Sequence, residues 1–284
     1  MKADIKTADD AIKLIVNADD YGYFPCVSHG ILQAADAHAI TATGILANSA
    51  NLATQLEWLN AAPDLDLGVH LNLTFKQPLT STMSENLARW NGCFPNAYIM
   101  SLLILTGKIS LETVRNEWCA QIEACQPKKL VFLNSHEHIH MLPVLFKLTL
   151  ELAETYNIPH VRVTRAEWLK PLTAAGLVRN SLMQVMQTVN QQQYHQPLPL
   201  LLGLSRSGKL DIAVLTQIFS KLKAGHHYEL MCHPGHFDST EISEPKLMAY
   251  HHWEGELALL QSPQLQELYQ KYNIQLSHYH HLSN

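Results

Sequence analysis

Histidine recurs at three alternating positions in the run Asn134-Ser135-His136-Glu137-His138-Ile139-His140. Alternate side chains of an extended chain share a face, so the spacing predicts that His136, His138 and His140 point the same way. Imidazole is a common metal ligand, so three on one face suggest a metal centre. A solvated strand end, or histidines that satisfy one another, would use the same residues. Ionisable groups stand out at four other places: Asp19-Asp20, His70 (with Asn72 two residues on), Arg162 and His233 before Pro234-Gly235. Each has a plainer explanation when taken singly: a helix cap for the aspartates, an ordinary strand histidine, an ion pair, a turn. Together, a carboxylate and two histidines from separate strands can form a three-ligand metal site with an open position, the arrangement of catalytic rather than structural sites.

For these residues to meet, the elements before them must end at one rim. Short apolar runs precede each of them: Ala11–Asn17, Leu65–Thr74, Lys129–Leu133, His160–Val163 and His227–Met231. Further strands are expected at Ile40–Leu46, Leu198–Leu204 and Ile274–Leu276. Helical spacing is expected over 26–38, 51–62, 110–125 (with Ser110 as N-cap), 142–156, 166–176, 178–193, 210–223, 253–261 and 263–271. Residues 75–97 have no clean period and form a long excursion of the kind that usually serves a site.

Strand and helix alternate seven or eight times, which implies a parallel sheet. At this length the pattern favours a single α/β domain, a distorted (β/α) TIM-like barrel over residues 1–284, with residues 1–11 as a polar tail. Ligands and catalytic groups of such folds collect at the C-terminal ends of the strands. The ionisable residues named above all fall there.

Composition narrows the function classes. The 284 residues are 47% hydrophobic and 16% charged, with a net charge of −5, as expected of a globular protein with a sizeable core. There is no Lys/Arg cluster, which argues against nucleic acid as a partner. Histidine is in excess, at 17 residues. Five cysteines with no CxxC pair argue against a disulfide framework and fit a reducing compartment. A polar N-terminus without an apolar core segment predicts no secretory signal, no membrane span and a cytoplasmic location.

Four segments resemble, in order and spacing, the motifs of the YdjC-like carbohydrate deacetylases. They are Leu14–Gly22 (Leu-Ile-Val-Asn-Ala-Asp-Asp-Tyr-Gly), Gly68–Thr74, Asn134–His140 and Met231–Gly235. Weaker echoes lie at Asn91–Phe94, at Glu117 with Gln121, and at Glu256-Leu257. The resemblance covers roughly residues 12–276. It implies removal of an N-acetyl group from an amino sugar, with Asp20, His70 and His136 as metal ligands, Asp19 as general base and His233 as general acid. His138, Arg162 and Asn72 are candidates for substrate contact, and a homodimer is implied by the resemblance alone.

The chemistry fits those roles. An acetamide is a poor electrophile and water a poor nucleophile; a divalent ion helps both. Departure of the amine then requires a proton, which a histidine can supply. Two nitrogens and one oxygen suit zinc, cobalt or nickel better than magnesium, whereas the resemblance implies magnesium. The expectation is therefore one divalent ion, zinc or magnesium, with cobalt, nickel or manganese as alternatives. One residue departs from the resemblance: Asn134 stands where aspartate is often found, so a supporting carboxylate is replaced by an amide.

Two other readings use the same residues. A metal-dependent phosphoesterase or another amidohydrolase would want a basic cluster near the metal, and the sequence offers only scattered Arg162, Arg165 and Arg206. A catalytically silent sugar-binding relative would need neither a base nor an acid.

Overall fold

The computed structural model describes residues 11–170, 174–194 and 199–282. In chain order the elements are β1 (Ile12–Tyr21), α1 (Pro25–Asp36), β2 (Ala42–Ile45), α2 (Leu52–Trp58), β3 (Asp66–Leu71), α3 (Ser81–Asn86), α4 (Ala97–Leu105), α5 (Leu111–Cys125), β4 (Leu130–Ser135), α6 (Pro143–Thr155) and β5 (His160–Val161). There follow α7 (Ala174–Asn190), β6 (Leu200–Leu202), α8 (Ile212–Phe219), β7 (His227–Cys232), α9 (Pro245–Tyr250), α10 (Trp253–Leu260), α11 (Pro263–Tyr272) and β8 (Ile274–Leu276).

The strands run in the order β5-β4-β3-β2-β1-β7-β6, all pairs parallel. The eighth, β8, pairs with Ile12–Leu14 at the start of β1, on the edge that β2 takes up from Asn17 onward. β1 is thus the central strand. Its Leu14, Ile15 and Val16 are completely buried, as an unbroken apolar run in a two-sided parallel sheet requires. Among the described residues no ladder joins β5 to β6, so the barrel is distorted by an open seam. The stretch after β5 bridges it: the Glu167 carboxylate accepts the backbone N–H groups of Gly203 and Ser205 beside β6.

Helix boundaries follow local chemistry. Ser110, Asp211 and Ser262 each accept the third backbone N–H of the helix they precede, and proline opens α1, α6, α9 and α11. Among the described residues no helix is long and apolar enough to cross a membrane.

Three expectations need correction. The first strand does not stop at Asn17 but continues to Tyr21, because the polar residues that follow find buried partners across the sheet. The expected helix over 166–176 is absent over 166–170; residues 171–173 lie outside the described residues, and helix begins at Ala174. The three alternating histidines do not share a face. β4 ends at Ser135, and Glu137 and His138 turn left-handed, with φ of 52° and 56°, which destroys the two-residue alternation. His140 is driven inward, where its Nε2–H donates to the Arg162 carbonyl and its Nδ1 accepts from Ser135. The expected strand start at Leu198 lies outside the described residues. α3, α4 and α9 occupy stretches for which the sequence pattern predicts no element.

Candidate active site

A cavity of about 730 Å³ opens at the C-terminal ends of the strands. Asp19, Asp20, His70, His136, His138 and His233 all line it; Arg162 and Asn72 do not. Adjacent residues of a regular strand face opposite ways, so Asp19 and Asp20 could not both reach one cavity from an undistorted β1. A register shift between Ala18 and Tyr21 and a φ of 71° at Asp20 supply the irregularity. Bulges of this kind re-aim side chains beside active sites.

Asp20 meets both histidines. Its Oδ1 lies 3.2 Å from His70 Nε2 and 3.0 Å from His136 Nδ1, and the ligand atoms of the three residues fall within 4.8 Å of one another. Bonds of about 2.0–2.1 Å to a tetrahedral ion place neighbouring ligand atoms about 3.3 Å apart, so spacing and donor type both fit one divalent ion. Burial opposes charge on Asp20, but the two histidines hold its carboxyl well below the usual range. His136 is correspondingly raised: burial works against the imidazolium and Asp20 more than offsets it.

Behind this trio lies a buried polar network. Asn134 Oδ1 accepts from His70 Nδ1 at 2.8 Å, while Asn134 Nδ2 donates to Asp19 Oδ1 at 2.9 Å. A histidine that donates from Nδ1 keeps its Nε2 lone pair free for a ligand role. The amide does both jobs because it carries one acceptor and one donor; a carboxylate here would face Asp19 with no proton to share. Gly44 makes the room, since a Cβ there would lie 3.1 Å from Asn134 Oδ1 and 3.2 Å from the His70 Cβ.

Arg162 grips Asp19 with two bonds of 2.6 and 2.9 Å and turns its Nε to Glu229 at 2.7 Å. Its side chain is completely buried, so its partners are these carboxylates and it is walled off from the cavity. Burial opposes charge on Asp19, but Arg162, with His70 and His233, brings its carboxyl down to about 2. Asn17 joins the same network through Asp19 and Glu229. Asn72 serves the backbone instead: its Oδ1 caps Thr74 and Phe75, and Gln121 pairs with its main chain. The neighbouring Glu117 accepts Leu79 and Thr80, so this pair secures the start of the 75–97 excursion.

His233 follows β7, and its backbone N–H donates to Glu256 at 2.6 Å. Its Nδ1 stands 4.0 Å from the same carboxylate. Burial raises the Glu256 carboxyl. The turn is fixed by close packing: a Cβ on Gly30 of α1 would come within 2.4 Å of the Gly235 Cα. His251 lies between the His233 ring (5.2 Å) and the Trp253 ring, on which it stacks at 4.8 Å. Burial, then the charge of His233, takes its imidazole down to about 3. His138, also on the wall, bonds Thr164 Oγ1 and is pushed well below the ordinary histidine value by burial and then by Arg162.

No sequence pattern singles out Glu229, His251, Tyr23, Arg179 or Lys246. The first secures Arg162, and the other four line the cavity. Glu256, like Glu117 and Gln121, is marked in the sequence by a weak echo.

The model of the family of YdjC-like proteins matches residues 13–271. The chain belongs to the YdjC-like family. It is 28% identical over 283 residues to a carbohydrate deacetylase of Enterococcus faecalis, covering 95% of this chain and 98% of that one. A carbohydrate deacetylase of Xenopus laevis is 25% identical over 268 residues, with 82% and 84% covered. A crystal structure from Enterococcus faecalis, provisionally named a cellobiose-phosphate cleavage protein, superposes with a TM-score of 0.75 at 24% identity, covering 96% of this YdjC-like chain and all of that one. That likeness speaks to the fold.

Proposed function

We propose that this YdjC-like protein is a metal-dependent hydrolase that removes the acetyl group from an N-acetylated amino sugar, either an oligosaccharide or a glycoconjugate. The observation that carries the reading is the convergence of Asp19, Asp20, His70, His136 and His233 on one cavity, in a family whose relatives include named carbohydrate deacetylases.

Asp20, His70 and His136 would hold one divalent ion. Such an ion polarises an acetamide carbonyl and acidifies water, which is what lets a base as weak as Asp19 take a proton. Arg162 and Asn134 orient Asp19 and keep it ionised, so it is ready to accept at any pH near neutrality. His233, held by Glu256, delivers a proton to the departing nitrogen; without it the amine is a poor leaving group. Tyr23, Tyr98 and Tyr250 on the wall suit the apolar faces of sugar rings. Arg162 spends its charge on Asp19 and Glu229, and the cationic side chains that line the cavity are Arg179 and Lys246.

The test is acetate release from N-acetylated mono- and disaccharides after metal is stripped and zinc, cobalt, nickel, manganese or magnesium is returned singly. The reading expects release that one or more ions restore and that Asp19→Asn and His233→Ala both lose. Release that survives both substitutions, or sugar binding with no release under any ion, would contradict it.

A further inference from the structure

A second cluster of metal-ligating side chains lies at the opposite end of the sheet. Asp66 opens β3, four residues before His70, or about 13 Å away along a strand that rises about 3.3 Å per residue. The chain after β8 returns beneath it. His280 Nδ1 lies 2.8 Å from Asp66 Oδ1, and His278 Nδ1 lies 3.8 Å from Asp66 Oδ2. One ligand atom from each residue can be chosen so that all three fall within 4.8 Å of one another.

We propose that Asp66, His278 and His280 form a second site for a first-row divalent cation of the zinc type, which fastens the C-terminal segment to the floor of the barrel.

The residues are built in rather than scattered on a surface. Asp66 is buried, and its Oδ2 also accepts the N–H groups of Tyr279 (2.6 Å) and His280 (3.3 Å). Little freedom remains for it to lose on binding an ion. Tyr279, between the two histidines, is buried and stacks on Phe132 at 4.5 Å. That anchor fixes the backbone from which both imidazoles project. The His278 Nδ1 is buried and makes no hydrogen bond, although its side chain is 25% exposed and that of His280 49% exposed. An ion can therefore enter from solvent and find a ligand atom aimed inward. Two nitrogens and one carboxylate oxygen favour zinc, nickel, cobalt or copper over magnesium or calcium.

The rival account is that Asp66 simply caps two backbone amides and pairs with His280. Titrating zinc into the full chain carrying Asp20→Asn and His70→Asn, which removes two ligands of the cavity site, separates the two accounts. The proposal expects about one equivalent bound and a rise in Tm of several degrees, as for any ligand that binds only the folded state. Adding His278→Ala with His280→Ala, at partly exposed side chains, should abolish both effects. A more conservative pair, His278→Gln with His280→Gln, should do the same while keeping side-chain size and a polar tip. No zinc bound at micromolar concentrations, or binding and a Tm rise that persist after both pairs of substitutions, would overturn it.

Discussion

Two clusters in this molecule contain the same ligand set, one aspartate and two histidines, and sit at opposite ends of the sheet. At the floor, Asp66, His278 and His280 have backbone amides and solvent around them. At the rim, Asp20, His70 and His136 stand beside a second aspartate, a histidine held by a buried glutamate, and a cavity of about 730 Å³. The ligands do not distinguish the two; their surroundings do. At the floor only His280 of the cluster reaches a cavity, of about 650 Å³, whose other described walls carry no carboxylate or histidine, so an ion there is placed to fasten chain to chain. At the rim, the carboxylates and histidines on which the proposed hydrolysis relies all line one cavity.

The comparison is sharpened by substitutions that strike one cluster and spare the other. The largest effect is expected at the rim. Asp20→Asn or His70→Ala should lower acetate release by on the order of 10³-fold or more, since the ion's contribution is worth several kcal/mol, while His278→Ala leaves release unchanged. Equal losses from both sides would break the distinction.

Next is Arg162. Arg162→Met leaves Asp19 and Glu229 buried without their cation, which costs about 3–5 kcal/mol of stability. Denaturant melts should register that loss, with Arg162→Lys intermediate. An unchanged midpoint would mean that the two carboxylates find another partner.

Asn134→Ala removes the amide that fixes His70. Groups in this position are typically worth 10–100-fold in metal affinity, so metal binding at the rim should weaken by about that factor while floor binding stays constant. A direct titration of metal into the variant, read at both sites, decides this.

The most gradual effect is a pH slope. His140 is fully buried and neutral, and burial takes its pKa to about 3 against an ordinary 6.5; His251 likewise falls to about 3. Below pH 6.5 the unfolded chain therefore binds protons that the folded chain refuses. Stability is full above that pH and declines as pH falls toward 3, by at most ~1.4 kcal/mol per unit for each histidine. His140→Asn should flatten part of the slope in melts run across that window; an unaltered slope would assign it elsewhere.

Much of this was legible before any coordinates. The apolar runs mark the neighbourhood of each described strand, and Ile274–Leu276 coincides with β8. Errors arose where tertiary partners override local pattern. Asn17-Ala18-Asp19-Asp20 reads as the end of a strand because polar residues rarely continue a buried one; here Arg162, Asn134 and Thr43 meet that polarity from other strands. The alternating histidines imply a shared face only if the chain stays extended, and the left-handed turn at Glu137 and His138 has no glycine or proline to announce it. The inward role of Arg162 depends on Glu229, 67 residues away. The floor cluster depends on a pairing 214 residues apart, and no local spacing could reveal it.

The central claim is that the rim cluster, and not the floor cluster, carries a metal-dependent deacetylation. It is tested most directly by following acetate release while an ion is titrated back into metal-free protein, in the unsubstituted chain and in the His278→Ala/His280→Ala variant. The account predicts release in both chains that saturates at the same free-ion concentration, and none once Asp20→Asn is added. Release that is lost with the floor histidines, or that persists without Asp20, would contradict it.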